Sequence, residues 1–581
     1  MHDGSTLSAT RGRDRLDTAL AALTLAACVA VIAYKFLLVR RLNINWDEFW
    51  YLSFVHERAR GELTLVLQGA YTHLFGWLPA IAGNEVDQVV AARLVMVALL
   101  GVTAWLVWLL GRRWLDGFPA ALPPLVYLGF VPVSIHGGSF RADSLLAPLL
   151  VAALVLLAAP RRSSRDVLLA GALLGLAAAV TVKALLFAPI ILMFLALAPA
   201  RVEGRRLPSL DAAALRSVAL AGLAAGVVFA ATVAAHAAFL STPVAVVPGA
   251  VPAESMPAFA VRTASTTVLD SPLFARAELF ERYALWQPLP WLLIGLGLVA
   301  ALHRRQYALA ALALALLPIA MYRNAFPYFY VVMLAPASVL AGYSAWSIGD
   351  FVLRSASGRA RGALLLAVWL GINYQCFAYL GRLSQDEQSV QRELIAGVHE
   401  IFPEPVNYVD RCGMVSSFRK VNFFMSTWGL EAYRERGVPF MPAAMRDREP
   451  AFVIVNSWAM DPAQRRADGL LAEDYELIDR LYPPYWGPLR VAGASAGLSR
   501  DDETRLSVPF AADYRVASPA RVLIDDVLRQ AGDVVHVPTE GVRVRPAEPQ
   551  AQDGLRVTLF LAAARPPPAG GFPPLPLFTG L

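Results

Sequence analysis

Apolar residues in this 581-residue chain come in long blocks separated by short polar stretches. The blocks match the ~20 residues a helix needs to cross ~30 Å of hydrocarbon. About eleven such runs predict membrane-spanning helices, at 18–39, 88–110, 119–137, 144–160, 166–182, 184–200, 214–240, 287–302, 306–322, 328–348 and 362–380. The runs 166–182 and 184–200 are short and adjacent enough to fit a re-entrant pair as well. Residues 62–82 are apolar but interrupted by Gln68, His73 and Pro79, which predicts a helix lying in the interface rather than crossing it.

From about residue 383 the period changes. Helical stretches near 386–400 and 428–436 precede Ala451-Phe452-Val453-Ile454-Val455, a short strand bounded by Pro450 and Asn456. After about 505, β-type runs alternate with turns at 514–516, 522–524, 534–537 and 555–561. The expected organisation is a polytopic α-helical membrane region over 1–382, a soluble α/β unit over 383–500 and a small β-rich module over 501–565. Residues 566–581 are rich in Pro and Gly and are expected to lack fixed structure.

Charge orients the helices. Basic clusters at Arg11/Arg13/Arg15, Arg112/Arg113, Arg161/Arg162/Arg165, Arg201/Arg205/Arg206, Arg304/Arg305 and Arg354/Arg359/Arg361 fall on alternate ends of the runs. Cytoplasmic loops collect Lys and Arg, so one threading puts all six inside. It places 40–87, 138–143, 241–286, 322–327 and everything after 382 outside, on the periplasmic face of a bacterial inner membrane. Only 17% of residues are charged and 57% are hydrophobic, where soluble proteins carry about a quarter as charges. Cys28, Cys376 and Cys412 are too scattered for a disulfide framework or a Cys-based zinc site. The net charge of +6 comes with no basic stripe interleaved with aromatics, which argues against a nucleic-acid partner. Leu25-Ala26-Ala27-Cys28 looks like a lipoprotein cleavage box, but the apolar run continues to Val39, so an uncleaved first span is expected.

Candidate chemistry gathers on the outer side. Asp47 and Glu48 follow the first run, flanked by Trp46, Phe49, Trp50 and Tyr51. A carboxylate there suits a base taking a proton from a hydroxyl at the lipid–water boundary, although an acidic turn beside an aromatic belt reads the same way. Arg141 and Asp143 sit in a very short outer turn, where charge is expensive; they could grip a phosphate or staple two helices. Lys183 ends one apolar run and begins another, so its ammonium either reaches headgroups or binds phosphate. Arg323 lies in an aromatic turn, 322–330, whose belt residues do not explain the cation.

With Asp47-Glu48, Arg141-Ala142-Asp143, the stretch from Gly175 to Lys183, and Arg323 with Pro327-Tyr328-Phe329-Tyr330, the chain resembles the membrane-embedded glycosyltransferases of the GT-C class. The likeness covers roughly 18–380 and is nearest to the bacterial branch of aminoarabinose-type lipid A transferases, with protein O-mannosyltransferases more distant. It implies a polyprenyl-phosphate sugar donor, an inverting transfer and a lipid, glycan or protein acceptor. Asp47 matches the catalytic aspartate, with Glu48 as helper or metal ligand. Arg141, Lys183 and Arg323 would hold the donor phosphate, and Asp143 would orient Arg141 or bind acceptor. Ala142 and Ala184 stand where relatives often have Pro and Gly. Some relatives use a divalent metal ion and some do not; His56 and His73 are the nearby candidates for a ligand. Trp428, Trp458, Tyr485 and Trp486 could stack on sugars or simply fill a core.

Two other function classes compete. A transporter would place ionisable groups at mid-membrane, where only Lys35, Arg93, Arg216 and His236 interrupt the runs. A non-catalytic assembly protein, with the soluble tail as its working part, would tolerate loss of Asp47.

Overall fold

The computed structural model describes residues 4–81, 83–197, 211–241, 272–355, 358–382, 387–498, 503–547, 555–573 and 576–579. The basic cluster at 201–206 and most of 241–286, the segment expected on the outer face, lie outside the described residues.

Helix occupies every one of the predicted apolar runs, but not always as one uninterrupted rod. Helix α1 runs Gly4–Leu38, and Glu85–Gly111 and Ala212–Ala237 are also continuous. Among the described residues these three, the first from Asp17 onward, are the helices long and apolar enough to cross a membrane; the count reaches five if two bent pairs each make one span. Those pairs, Ala277–Trp286 with Pro288–His303 and Pro327–Ala337 with Val339–Gly349, bend by 102° and 43°. Of the remaining runs, 362–380 lies in one continuous helix, Gly358–Arg382, and the others are shorter or broken, so eleven crossings do not follow from helix length. Proline explains part of the breakage. Gly117–Gly129 stops at Phe130, whose extended backbone (ψ 134°) leads into Pro132 and the short helix Val131–His136. The run at 182–196 opens as a tight 3₁₀ turn, Val182–Phe187, before becoming α-helical at Ala188–Ala196.

Helix α2, Trp46–Ala59, follows α1. The predicted interfacial helix over 62–82 is corrected. Only Tyr71–Leu74 and Leu78–Ala80 are helical, and Tyr71, Phe75 and Leu78 are buried in the core that contains α2. Protein, not lipid, receives their apolar surface.

The C-terminal region has the expected α/β unit. Strands β1 (Asn407–Val409), β2 (Arg419–Lys420), β3 (Phe452–Ile454), β4 (Pro484–Trp486) and β5 (Leu489–Val491) form one sheet in the order β2-β1-β3-β5-β4. β1 runs parallel to β2 and β3. Helices Ser389–Ile401, Thr427–Arg436, Met441–Arg448 and Ala472–Leu481 accompany it.

The β-rich module is two four-stranded antiparallel sheets. Its strands are β6 (Gly493–Leu498), β7 (Thr504–Leu506), β8 (Ala512–Ala517), β9 (Val522–Ile524), β10 (Val527–Arg529), β11 (Val534–Val537), β12 (Val542–Pro546) and β13 (Leu555–Leu561). The orders are β10-β9-β12-β7 and β11-β8-β13-β6. β6 pairs along β13, from Leu498 with Leu555 to Gly493 with Phe560, so a boundary at 500 would cut a sheet.

A boundary at 382 is likewise one of sequence and not of packing. Phe49, Leu52, Val86 and Met96 from the helical region share one buried core with Leu394, Phe452 and Val557. The Pro/Gly-rich tail is also more than a loose end. Phe572 packs edge-on against Trp486, and Phe578 packs edge-on against Trp46 and Phe49 at 6.0 and 6.4 Å between centroids. The carbonyl of Leu577 accepts from Asn43 Nδ2 at 3.0 Å and Gln391 Nε2 at 2.8 Å.

Candidate active site

The start of α2 sets the site. Asn45 is its N-cap: Oδ1 accepts from the Asp47 amide at 3.0 Å, while Glu48 Oε2 accepts from the Asn45 amide at 3.1 Å. This reciprocal box satisfies amides that the first turn would otherwise leave open. It also turns the two neighbouring carboxylates apart.

Glu48 is fully buried. Its carboxylate takes Arg93 Nε at 2.8 Å and Nη2 at 2.5 Å, together with the Phe140 amide at 2.7 Å. The structure places Glu48, the expected helper or metal ligand, against Arg93 and the Phe140 amide. Every contact of Glu48 is structural, and it ties α2 to helix Glu85–Gly111 and to the turn that carries Arg141.

Asp47 keeps 18% of its side chain exposed and forms an ion pair with Arg141 Nη1. Arg141 is the extended residue (φ −143°, ψ 153°) that caps helix Ala142–Leu157. Its Nε lies 3.6 Å from Asp143 Oδ2, and Asp143 Oδ1 accepts from Lys183 Nζ at 3.0 Å. Four charges thus alternate in a chain, Asp47, Arg141, Asp143, Lys183. Arg141 and Asp143 are buried, while Asp47 and Lys183 at the ends remain partly open, at 18% and 17%.

Each partner comes from a broken helix end. Thr181 is extended (φ −158°), and its hydroxyl accepts from the Lys183 amide at 3.4 Å and donates to Gln68 Oε1 at 3.2 Å. Gln68 itself has φ +62°, a conformation that costs a non-glycine residue about 1–3 kcal/mol. The Tyr328 ring lies beneath both cations, 3.6 Å from Arg141 Cζ and 4.9 Å from Lys183 Nζ. Its electron-rich face softens the cost of holding two cations close together.

Arg323, expected at the donor phosphate, turns toward the C-terminal region in this structure. Its Nη2 contacts both Glu431 oxygens, at 3.2 and 3.3 Å, and its guanidinium stacks on Trp428. Its contacts are a clasp to the C-terminal region and not part of the four-charge chain. His56 and His73 do not meet: His56 Nε2 is 2.7 Å from Gln88, and His73 Nε2 is 2.9 Å from His236 Nδ1. Among the described residues no group of three or more His, Cys, Asp or Glu gathers as a metal cage.

Two other ionisable groups of the apolar runs, Lys35 and His236, are used up locally, while Arg216 is exposed. Lys35 donates to the carbonyls of Val133 and Ser134 at 3.3 and 2.6 Å, and the second ring nitrogen of His236 meets the Leu65 carbonyl at 2.8 Å. Of the candidate sugar-stacking aromatics, Trp486 is buried, Tyr485 packs on Phe560 and Trp428 carries Arg323. Trp458 keeps 40% exposure. Sequence reasoning missed Arg93, Gln68 and Tyr328 as site residues. Asn45 three residues before Glu48 is the capping-box spacing, and that signal could have separated Glu48 from Asp47.

No protein-family model matches the sequence, and no curated protein matches it. Solved structures do. ArnT from Cupriavidus metallidurans bound to undecaprenyl phosphate aligns at a TM-score of 0.50 and 15% identity, covering 75% of this chain and 93% of that one. The apo Archaeoglobus fulgidus oligosaccharyltransferase aligns at a TM-score of 0.52 and 14% identity, covering 89% and 76%.

Proposed function

From the premise that this membrane protein has the GT-C fold, we propose that it is a glycosyltransferase using a polyprenyl-phosphate-linked sugar. The observation that carries the reading is the alternating chain of Asp47, Arg141, Asp143 and Lys183, with its two ends open. The donor is a phosphodiester whose leaving group, polyprenyl phosphate, gathers negative charge as the C1–O bond breaks, and two preplaced cations match that charge.

The steps follow from the contacts. Donor phosphate oxygens compete for Arg141 and Lys183, which loosens Arg141 from Asp47. The freed Asp47 carboxylate takes the proton of an acceptor hydroxyl as its oxygen bonds to C1. The C1–O–phosphate bond breaks on the opposite face, giving inversion, and polyprenyl phosphate leaves beside Lys183. Asp143 holds the two cations in register throughout, and Glu48 fixes the turn beneath them. We assign no step to a metal ion: Asp47 and Asp143 both already face cations, which would repel a divalent ion. The site faces the periplasm of a bacterial inner membrane under the charge-based threading, and the acceptor is a lipid, glycan or protein hydroxyl.

The test compares native protein with Asp47→Asn in nanodiscs, using labelled polyprenyl-phosphate sugars and a membrane-lipid extract. Transfer by the native protein and a loss of about 100-fold or more in the variant is the expected result. Equal rates would remove Asp47 from the mechanism, and lipid-linked sugar crossing the bilayer without transfer would favour a flippase.

A further inference from the structure

Parallel strands open a crevice beyond their carboxyl ends, where α/β sheets bind their ligands. In this sheet β1 and β3 are the central parallel neighbours. Beyond them lie Asp410-Arg411 and Asn456-Ser457-Trp458. Two of these side chains are spent on shape. Asp410 accepts from the amides of Gly413 and Met414 at 2.7 and 2.9 Å and from Asn456 Nδ2 at 3.1 Å. Asn456 Oδ1 accepts from the Arg411 amide at 3.1 Å.

The Arg411 side chain is different. It is 6% exposed, its Nη1 donates to Ser457 Oγ at 2.9 Å, and its Nε has no hydrogen-bond partner. Among the described residues no carboxylate pairs with it, whereas the buried Arg93 and Arg141 each hold one. A buried guanidinium without a hydrogen-bonded counter-ion is costly; Asp47 acts on Arg411 only through space, and the unpaired Nε leaves a donor that an anionic partner would satisfy.

Its position names that partner. The guanidinium lies 3.8 Å from the centroid of Trp46, the residue before Asp47. The carboxyl ends of β1 and β3 therefore lie against the start of α2. Trp458, which follows β3 at the same end of the sheet, is 40% exposed and carries the Arg466 guanidinium 4.7 Å from its ring centroid.

We propose that Arg411 recognises an anionic group on the acceptor, so that the acceptor is a hydroxyl compound carrying a phosphate or carboxylate close to its reacting oxygen. The proposal rests on Asp47 being the base. It makes the soluble sheet, not the helical region alone, the element that selects the acceptor. Arginine suits the task because its fork pairs with both phosphate and carboxylate oxygens.

The experiment titrates the full-length protein in detergent with glucose 6-phosphate, glucuronate and glucose. It does so for native protein, Arg411→Gln and Arg411→Lys, with undecaprenyl phosphate as a separate probe. Native protein is expected to prefer one charged sugar over glucose by about tenfold, and which one identifies phosphate or carboxylate. Arg411→Gln should lose that preference, Arg411→Lys should keep part of it, and both should bind undecaprenyl phosphate as the native protein does. A merely structural Arg411 would instead lower all affinities together. Native protein without a charge preference, or Arg411→Gln retaining it, overturns the proposal. Failure of native protein to bind undecaprenyl phosphate would instead count against the donor reading, while the charged-sugar preference still decides the role of Arg411.

Discussion

Arg93 grips Glu48 through two parallel contacts, 2.8 and 2.5 Å, with 5% and 0% of the two side chains exposed. The pair sits directly behind the residue proposed to do chemistry, and its energetics differ from those of Asp47. Removing one member of a buried pair strands the other charge, which typically costs about 3–5 kcal/mol. Glu48→Ala is therefore expected to lower the thermal midpoint by several degrees, whereas Asp47→Asn leaves it nearly unchanged. Adding Arg93→Met to Glu48→Ala should restore much of the loss. Unfolding scans of the four proteins check this, and equal midpoints for Asp47→Asn and Glu48→Ala would contradict it.

Tyr328 should matter through its ring rather than its hydroxyl. Cation–π contacts of desolvated groups are worth up to about 2 kcal/mol, so Tyr328→Leu should weaken undecaprenyl phosphate binding by roughly tenfold. Tyr328→Phe keeps the ring and should stay within about twofold. A larger loss in Tyr328→Phe than in Tyr328→Leu would show that the hydroxyl is the working part.

The Arg323–Glu431 clasp is a rim contact, with 36% and 31% of the side chains exposed. Exposed pairs contribute about 0–1 kcal/mol. Arg323→Glu and Glu431→Arg should each increase protease cleavage between the helical and soluble regions, and the double reversal should suppress it. If Arg323→Glu alone abolishes donor binding and the double reversal fails to recover it, the cation belongs to the phosphate after all.

Glu57, in the last turn of α2, supplies a pH signature. Burial raises its carboxyl from 4.5 to about 7, against the opposing pull of Arg60, Lys420 and Arg419. The folded chain thus binds a proton more tightly than the unfolded one, and this contribution to stability is present at low pH and declines between about 4.5 and 7. Glu57→Gln should flatten that segment of the stability curve and gain up to about 3 kcal/mol above pH 7. Thermal midpoints of both proteins from pH 5 to 8 decide it; parallel curves would place the titration elsewhere.

What could be read in advance follows the range of the interaction. The apolar runs and the alternating Leu555–Leu561 are local patterns, and helices and β13 stand where those patterns put them. Residues 62–82 misled because an apolar face does not say whether lipid or protein will cover it. Strand β6, Gly-Ala-Ser-Ala-Gly-Leu, has no strand-like composition and exists because β13 pairs with it. The charges of the site were visible one by one, but Glu431, which takes Arg323 away, lies 108 residues along the chain. Adjacent carboxylates were assigned one shared task because sequence order does not show which way each side chain turns.

The cover of α2 has a consequence in time. Asn43 and Leu577, joined by a hydrogen bond, are 534 positions apart. At about 5–20 residues per second, a ribosome needs roughly 25–100 s to deliver the second after the first. Through that interval Trp46 and Phe49 wait without Phe578, and the helix that carries Asp47 is made long before this part of its cover.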